Sequence, residues 1–145
     1  MRPIRVPPVF RVALALAALL ALAACATGTS RKDGLQQAQY AWSAAIRWGD
    51  VEGAWNLVDP AYRDAHPLTD VQLERYRQLR ISAYRELGAT VAPDAGSALR
   101  EIEIGVINQH TLAERTVRVR ERWRWDEEKK AWWITDGLPD LWAGE

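Results

Sequence analysis

The chain has 145 residues, with 19 basic and 19 acidic side chains, a formal net charge of zero and one Cys. This length allows one domain rather than two. The balanced charge argues against a nucleic-acid binder, which concentrates Lys and Arg on one face, and a single Cys excludes a disulfide scaffold. Eight Trp, four Tyr and an apolar content of 48% supply a hydrophobic core, which excludes disorder for most of the chain.

The first 25 residues have the pattern of a secretory signal. An apolar run over residues 12–24 carries no charge and follows three basic residues, Arg2, Arg5 and Arg11. A helix of that length spans about 20 Å, less than the ~30 Å hydrocarbon core that a transmembrane helix must cross. The run is therefore predicted to be cleaved. Its removal takes three basic residues and no acidic one, which leaves the rest of the chain mildly acidic.

The end of this run, Leu22-Ala23-Ala24-Cys25, resembles the lipobox of bacterial lipoproteins. The resemblance implies a signal peptide over residues 1–24 and acyl chains such as palmitate on Cys25, and two or more chains anchor a protein stably. Ala26 after the Cys implies the periplasmic face of the outer membrane in a Gram-negative host. Two alternatives stay open: an ordinary cleaved signal with an accidental Cys, and a buried Cys in a cytosolic chain.

The rest of the chain divides into a short segment and one domain. Residues 25–33 begin with the Cys and continue with small, polar or charged residues. They are predicted to form a flexible tether. Residues 34–145 contain no internal repeat and are numerous enough to fold alone. We therefore expect a single domain held off the membrane by the tether.

Helical spacing predicts three helices in the first half of the domain. The first ends near Gly49, and the second is capped by Asp50 and stopped by Asp59-Pro60. A loop follows through His66-Pro67. The third opens at the capping-box pattern of residues 69–72 and ends at Gly88; its apolar arc is predicted to contain Leu73, Tyr76, Leu79, Ala83, Tyr84 and Leu87, with Arg80 inside the arc.

A period of two predicts antiparallel strands in the second half. After a turn at residues 93–96, Ile102, Ile104 and Val106 share one face of a strand, and residues 108–114 form a loop. The next strand, over residues 117–125, places Val and Trp on one face and arginines on the other. A polar turn at residues 126–130 leads to the last strand. Helices followed by a meander predict an α+β domain with the helices on one face of the sheet.

This order of elements resembles the nuclear-transport-factor-2-like superfamily, which includes ketosteroid-isomerase-like enzymes. The resemblance depends on residues 40–63, with their Trp-Gly-Asp turn and Asp59-Pro60-Ala61-Tyr62, and on Ala131-Trp132-Trp133-Ile134. It implies N-terminal helices packed on a curved antiparallel sheet around a cone-shaped cavity. Members include isomerases, dehydratases, adaptors and envelope lipoproteins, so the fold alone does not choose the function.

Four arginines alternate on the predicted outer face of one strand and are the candidate interface: Arg118, Arg120, Arg122 and Arg124. Because like charges opposite one another are destabilising, neighbouring acids such as Glu101 and Glu103 are expected to form a cross-strand ladder with them. Three interpretations stay open: a solvated face, a protein or homodimer interface, and recognition of an anion. Sugar stacking on Trp48 or Trp142 is a further alternative.

The inventory for catalysis is small, and no catalytic residue is assigned. There are two His, no clustered metal ligands and no phosphate-binding or nucleophile motif, so neither metal nor cofactor is expected. A cavity enzyme would need a base with a hydrogen-bonding partner in the pocket. The polar residues expected to line such a cavity are Asp59, Tyr62, Tyr76, Arg80 and His110.

Together these features predict a non-enzymatic, lipid-anchored envelope protein that binds a small apolar ligand or a protein partner and not nucleic acid. The first alternative is a cavity enzyme of the isomerase or dehydratase type acting on a small lipophilic substrate. The second is a structural protein of the envelope that self-associates.

Overall fold

The computed structural model describes residues 30–143, which form four helices and four strands in chain order. The helices are α1 (Arg31–Trp48), α2 (Val51–Trp55), α3 (Pro60–Ala65) and α4 (Asp70–Arg77). The strands are β1 (Leu79–Ala92), β2 (Ser97–Asn108), β3 (Glu114–Asp126) and β4 (Ala131–Ile134). None of the helices between residues 30 and 143 is both long and apolar enough to cross a membrane.

Helix α1 is fixed at both ends by local sequence signals. The Ser30 side chain accepts the backbone N–H of Asp33 at 3.1 Å, which satisfies one of the free N–H groups of the first turn. Gly49 ends the helix in the left-handed conformation at φ 70°, and its N–H binds back to the last turn. The helix predicted up to Gly49 is confirmed, and its first turn includes residues 31–33, which were expected in the tether.

The third predicted helix is wrong in its second half. Helix α4 has the predicted capping box at Thr69 and Gln72 but ends at Arg77, and residues 79–92 form β1. The pairing of β1 with β2 skips one residue between Ile81 and Ala83 and another between Glu86 and Gly88. Each bulge inserts an extra residue and breaks the period of two, so the apolar residues of β1 fall at helix-like spacings.

The sheet is an antiparallel meander with strand order β1-β2-β3-β4. The predicted strands in the second half are confirmed with longer bounds, and α3 lies in a segment predicted as a loop. In β2 and β3 alternate residues are buried, which places one face of the sheet against the helices. The domain is therefore α+β.

The core lies between α1 and the inner face of the sheet. Trp42 packs edge-on against Trp123, with ring centroids 6.2 Å apart, and Ile102 and Ile104 are fully buried beside them. The C-terminal segment returns to this core, where Leu141 is buried. Large rings thus occupy the space between the layers.

Candidate functional site

A charged pair lies on the inner face of the sheet, among the apolar side chains of the core. Arg100 of β2 and Glu121 of β3 are direct partners in the sheet register and are only 7% and 3% exposed. Arg100 donates to Oε2 of Glu121 from Nε at 3.0 Å and from Nη2 at 2.6 Å. Both nitrogens therefore meet one carboxylate oxygen, and hydrogen bonds between two charged groups are stronger than those between neutral ones.

The second oxygen of Glu121 is also fully used. Its Oε1 accepts the indole N–H of Trp42 at 2.8 Å and the hydroxyl of Tyr84. A carboxylate offers about four lone-pair positions, and four donors occupy them here. Burial, followed by the neighbouring Glu121 carboxylate, raises the pKa of Tyr84 well above its usual range, so its hydroxyl stays a donor. We call Trp42, Tyr84, Arg100 and Glu121 the inner cluster.

A small apolar cavity lies where α1 meets β1 and the C-terminal segment. It has a volume of about 30 Å³ and is lined mainly by apolar side chains of α1, β1 and the C-terminal segment. Of the five residues expected to line a cavity, only Tyr76 borders it. The Tyr76 hydroxyl donates to the backbone oxygen of Pro139 at 2.7 Å, and burial raises its pKa above the usual range.

The other four residues expected at the cavity lie apart from it. Asp59 pairs with Arg124 at 2.6 Å beside β4, and Tyr62 stacks on His66 with ring centroids 4.3 Å apart. Arg80 and His110 are both exposed. The structure therefore does not bring the five residues together.

The four arginines of the candidate interface lie on the opposite, outer face of β3. Arg118 and Arg120 stand across from Glu103 and Glu101 in the register and pair with them at 3.3 and 3.4 Å. Arg122 pairs with Asp136 at 2.9 Å. Arg85 of β1 shares Glu103 with Arg118, and its hydrogen bond is the largest cause that holds the pKa of Glu103 below its usual range.

The guanidiniums of this surface lie further out than most of its carboxylates. The side chains of Arg118, Arg120 and Arg122 are 77%, 72% and 65% exposed, whereas that of Glu103 is 15% exposed. All three arginines approach their acids through Nε, and within residues 30–143 their Nη atoms make no hydrogen bond. We call Arg118, Arg120 and Arg122 the arginine row.

A depression of about 370 Å³ lies beside the arginine row. Its walls include Arg118, Arg120, Glu101 and Leu87. Leu87 is the residue that the register skips between Glu86 and Gly88, and it is 46% exposed. The outer face therefore combines cationic groups with one apolar contact point.

The two Trp residues considered for sugar stacking differ in their surroundings. Trp48 is 87% exposed at the end of α1. Trp142 packs edge-on against Tyr76 at 5.1 Å, and Arg75 covers its ring at 4.3 Å. Trp142 therefore helps to close the core, and Trp48 alone of the two offers a free ring.

The expected lipid attachment site, Cys25, lies outside the residues that the structure describes and stays a prediction. Within residues 30–143 no group of three or more His, Cys, Asp or Glu side chains could hold a metal ion.

Sequence reasoning missed the inner cluster, although a signal for it was present. Val and Trp residues define the inner face of the strand predicted over residues 117–125, and Glu121 is the one charged residue at that parity within this range. Arg100 is likewise a charged residue among the inward-facing, mostly apolar residues of β2. A basic residue on one apolar strand face and an acidic residue on the neighbouring one indicate a buried ion pair.

Comparisons with known proteins bear on the fold. No family model matches this chain, and no curated protein matches it. A SEC-C motif containing protein from Rhodopseudomonas palustris, solved in solution, is similar with a TM-score of 0.53 and 18% identity over 66% of this chain and 70% of that one. A crystal structure of a SEC-C motif containing protein from Psychrobacter arcticus is similar with a TM-score of 0.51 and 10% identity. That match covers 67% of this chain and 56% of the other, so this chain spans just over half the length of that protein.

These similarities correct the family resemblance inferred from sequence. Both solved structures are SEC-C motif containing proteins and not nuclear-transport-factor-2-like ones, and no comparison indicates a lipoprotein signal or lipobox. Helices followed by a meander are shared by many α+β folds, so the order of elements is too general to identify a superfamily.

Proposed function

We propose that this domain is a non-enzymatic binding module whose outer sheet face engages a protein partner. The observation that carries the proposal is the arginine row, which presents unbonded Nη groups beside a depression of about 370 Å³. Arginine is enriched at protein interfaces because its planar, weakly hydrated guanidinium binds carboxylates and stacks on flat groups. In contrast, the Glu121 carboxylate of the inner cluster already accepts four hydrogen bonds.

The size of the apolar cavity between α1 and β1 favours a protein partner over a small apolar ligand. Ligand sites usually have volumes of about 300–1,000 Å³, whereas this cavity measures about 30 Å³. In this proposal the cone-shaped space expected from the sequence is filled by Trp42 and Trp123.

A cavity enzyme remains the second candidate because Glu121 is a buried carboxylate beside a depression of about 290 Å³. A general base must have a lone pair that reaches the substrate proton. In the inner cluster all four lone-pair positions of Glu121 are occupied by Trp42, Tyr84 and Arg100. This arrangement favours a structural role.

The location at the cell envelope is part of the proposal and rests on the charged and apolar pattern of residues 1–24. Fractionation of the native cells tests it, with the chain that remains after removal of the signal expected in the envelope fraction. Recovery of the full-length, uncleaved chain from the cytosol would contradict it.

Site-specific photo-crosslinking in the native cells tests the binding function. A photoreactive amino acid in place of Leu87 is expected to capture a defined protein, while the same amino acid in place of the exposed Leu112 serves as the control. The captured protein is then purified, and its affinity for the full chain is measured by calorimetry. Capture from both positions alike, or no measurable affinity, contradicts the proposal. Capture of a second copy of this chain would favour the self-associating alternative.

A further inference from the structure

We propose that the outer face binds an extended acidic segment of the partner, in which carboxylates alternate with other residues. This inference rests on the proposed function, since it names the chemistry of the partner at the same surface. Three features of the arginine row support it: the spacing of its side chains, their unbonded N–H groups and the neighbouring depression.

The spacing of the arginine row matches that of an extended peptide. Arg118, Arg120 and Arg122 are alternate residues of one strand, so neighbouring guanidiniums start about 6.6–6.8 Å apart along β3. Carboxylates at alternate positions of another extended chain repeat at the same distance. An acidic strand lying along β3 can therefore place one carboxylate at each arginine without changing its backbone.

The free donors of the row suit carboxylates. Each of the three arginines uses Nε for its own acid, which leaves the two terminal nitrogens without a hydrogen bond to residues 30–143. A guanidinium has five N–H donors and binds two acids at once without losing either. The partner therefore adds a second carboxylate to each arginine, and the existing pairs hold the side chains in place for it.

The depression adds an apolar contact to this charge pattern. Leu87 lines it together with Arg118 and Arg120. Successive side chains of an extended chain point to opposite faces, so only a partner residue on the same side as the carboxylates can cover this apolar surface. Because charge pairs at an exposed surface contribute little affinity alone, this contact favours a peptide that has an apolar or aromatic residue next to its acids on the side facing the sheet.

The arrangement favours a protein segment over an anionic membrane. Membrane-binding surfaces attract acidic lipids with clusters of Lys and Arg, whereas here half-exposed Glu101 and low-lying Glu103 alternate with the arginines. A bilayer surface would approach all of these acids together. A single extended chain follows the arginines of β3 and avoids most of that repulsion.

Fluorescence anisotropy with synthetic peptides tests the inference. The probe is a labelled peptide of alternating Glu and Val, and a peptide with the same composition but clustered Glu residues tests the spacing. We expect the full chain to bind the alternating peptide at low salt more tightly than the clustered one. The triple variant Arg118→Gln, Arg120→Gln, Arg122→Gln should weaken this binding about tenfold.

A matched charge change elsewhere provides the control. The variant Lys32→Gln, Arg77→Gln, Lys129→Gln removes three exposed charges outside the outer face and should retain the wild-type affinity within about twofold. Equal weakening by both triple variants overturns the inference, as does equal binding of the two peptides. Binding to vesicles with phosphatidylserine but to neither peptide would overturn it in favour of a membrane surface.

The two proposals fail in different ways. If the protein captured from the Leu87 position binds the arginine triple variant as well as it binds the wild-type chain, the inference is wrong while the binding function stands. If no protein is captured and purified by that route, the proposed function itself fails. Circular dichroism of each variant shows whether it is folded before affinities are compared.

Discussion

The two faces of the sheet use the same chemistry under opposite conditions. On the inner face, Arg100 and Glu121 form one pair that is almost completely buried and surrounded by Trp42 and Tyr84. On the outer face, Arg118 and Arg120 form pairs with exposed guanidiniums. Both sets join β2 to β3 across direct register positions.

Burial decides what each set of charges does. Removing one member of a buried pair leaves an uncompensated charge in a medium of low dielectric constant, which is strongly destabilising. Exposed pairs are screened by water and salt and contribute about 0–1 kcal/mol. The inner pair therefore holds the fold in one register, and the outer pairs are available for recognition.

The largest effect is expected from Glu121→Ala. This change leaves the Trp42 indole and the Tyr84 hydroxyl without their acceptor and leaves buried Arg100 with only the half-exposed Glu86 carboxylate at 3.5 Å, so the free energy of unfolding should fall by about 3–5 kcal/mol. Urea denaturation, monitored by tryptophan fluorescence, measures this free energy. The same substitution on the outer face, Glu101→Ala, should lower the free energy of unfolding by less than about 1 kcal/mol. Similar losses of stability in the two variants would contradict the difference between the faces.

A double variant separates pairing from packing. Arg100→Met with Glu121→Leu removes both charges and keeps apolar volume, so it should recover most of the stability lost in Glu121→Ala, because buried pairs are often replaceable by apolar residues. Failure to recover any stability would mean that the neighbouring Trp42 and Tyr84 donors, rather than the buried Arg100 charge, cause the loss.

An intermediate effect is expected from Tyr84→Phe. The ring and the two hydrogen bonds from Arg100 to Glu121 remain. The hydroxyl's donation to Glu121 and the hydrogen bond that it accepts from Arg100 at 3.2 Å both disappear. The expected cost is about 1.5–3 kcal/mol, measured by urea denaturation. The fully exposed Tyr40→Phe is the control and should leave stability within about 0.5 kcal/mol of wild type.

A smaller effect on stability is expected from Arg120→Gln. Its pair with Glu101 is exposed and its Nε lies 3.4 Å from the acid, so the free energy of unfolding should change by less than about 1 kcal/mol. The measurement is again urea denaturation. A loss as large as that of Tyr84→Phe would show that the arginine row is structural and would remove the distinction between the faces.

The smallest effect is a pH dependence from Glu103. Hydrogen bonds from Arg85 and Arg118 lower the pKa of Glu103 in the folded protein below its ordinary value of 4.5, so the folded state binds fewer protons there than the unfolded state. The stabilisation is present above pH 4.5 and is lost as the pH falls through the lowered pKa. Stability measured against pH should therefore decline less steeply in Glu103→Gln than in the wild-type chain; parallel curves would contradict this.

The sequence predicts the regular parts of this fold and misses the irregular ones, for a physical reason. Helix α1 has an N-terminal cap, a repeating apolar face and a terminating Gly49, and β3 alternates without interruption, so both were found. Strand β1 contains two bulges, and each changes the parity of the residues that follow. Since bulges are determined by pairing with β2, residues 79–92 alone do not reveal them.

The candidate site was predictable on one face only. The arginines of β3 were found because they alternate along one segment of sequence. Arg100 and Glu121 are 21 residues apart, and their pairing follows from the register of two strands. Likewise, residue type alone grouped Asp59, Tyr62, Tyr76, Arg80 and His110, and the structure separates them because they lie on different elements and loops.

The extra residue between Glu86 and Gly88 also constrains how this chain can change. Deleting any one residue from that part of β1 would restore a regular ladder with β2, and no leucine would then be left over at the wall of the depression. With one bulge instead of two, the edge strand would also offer a longer regular row of free N–H and C=O groups to neighbouring copies, which is a route to aggregation. A one-residue deletion would thus cost the protein both the proposed binding contact and part of its solubility.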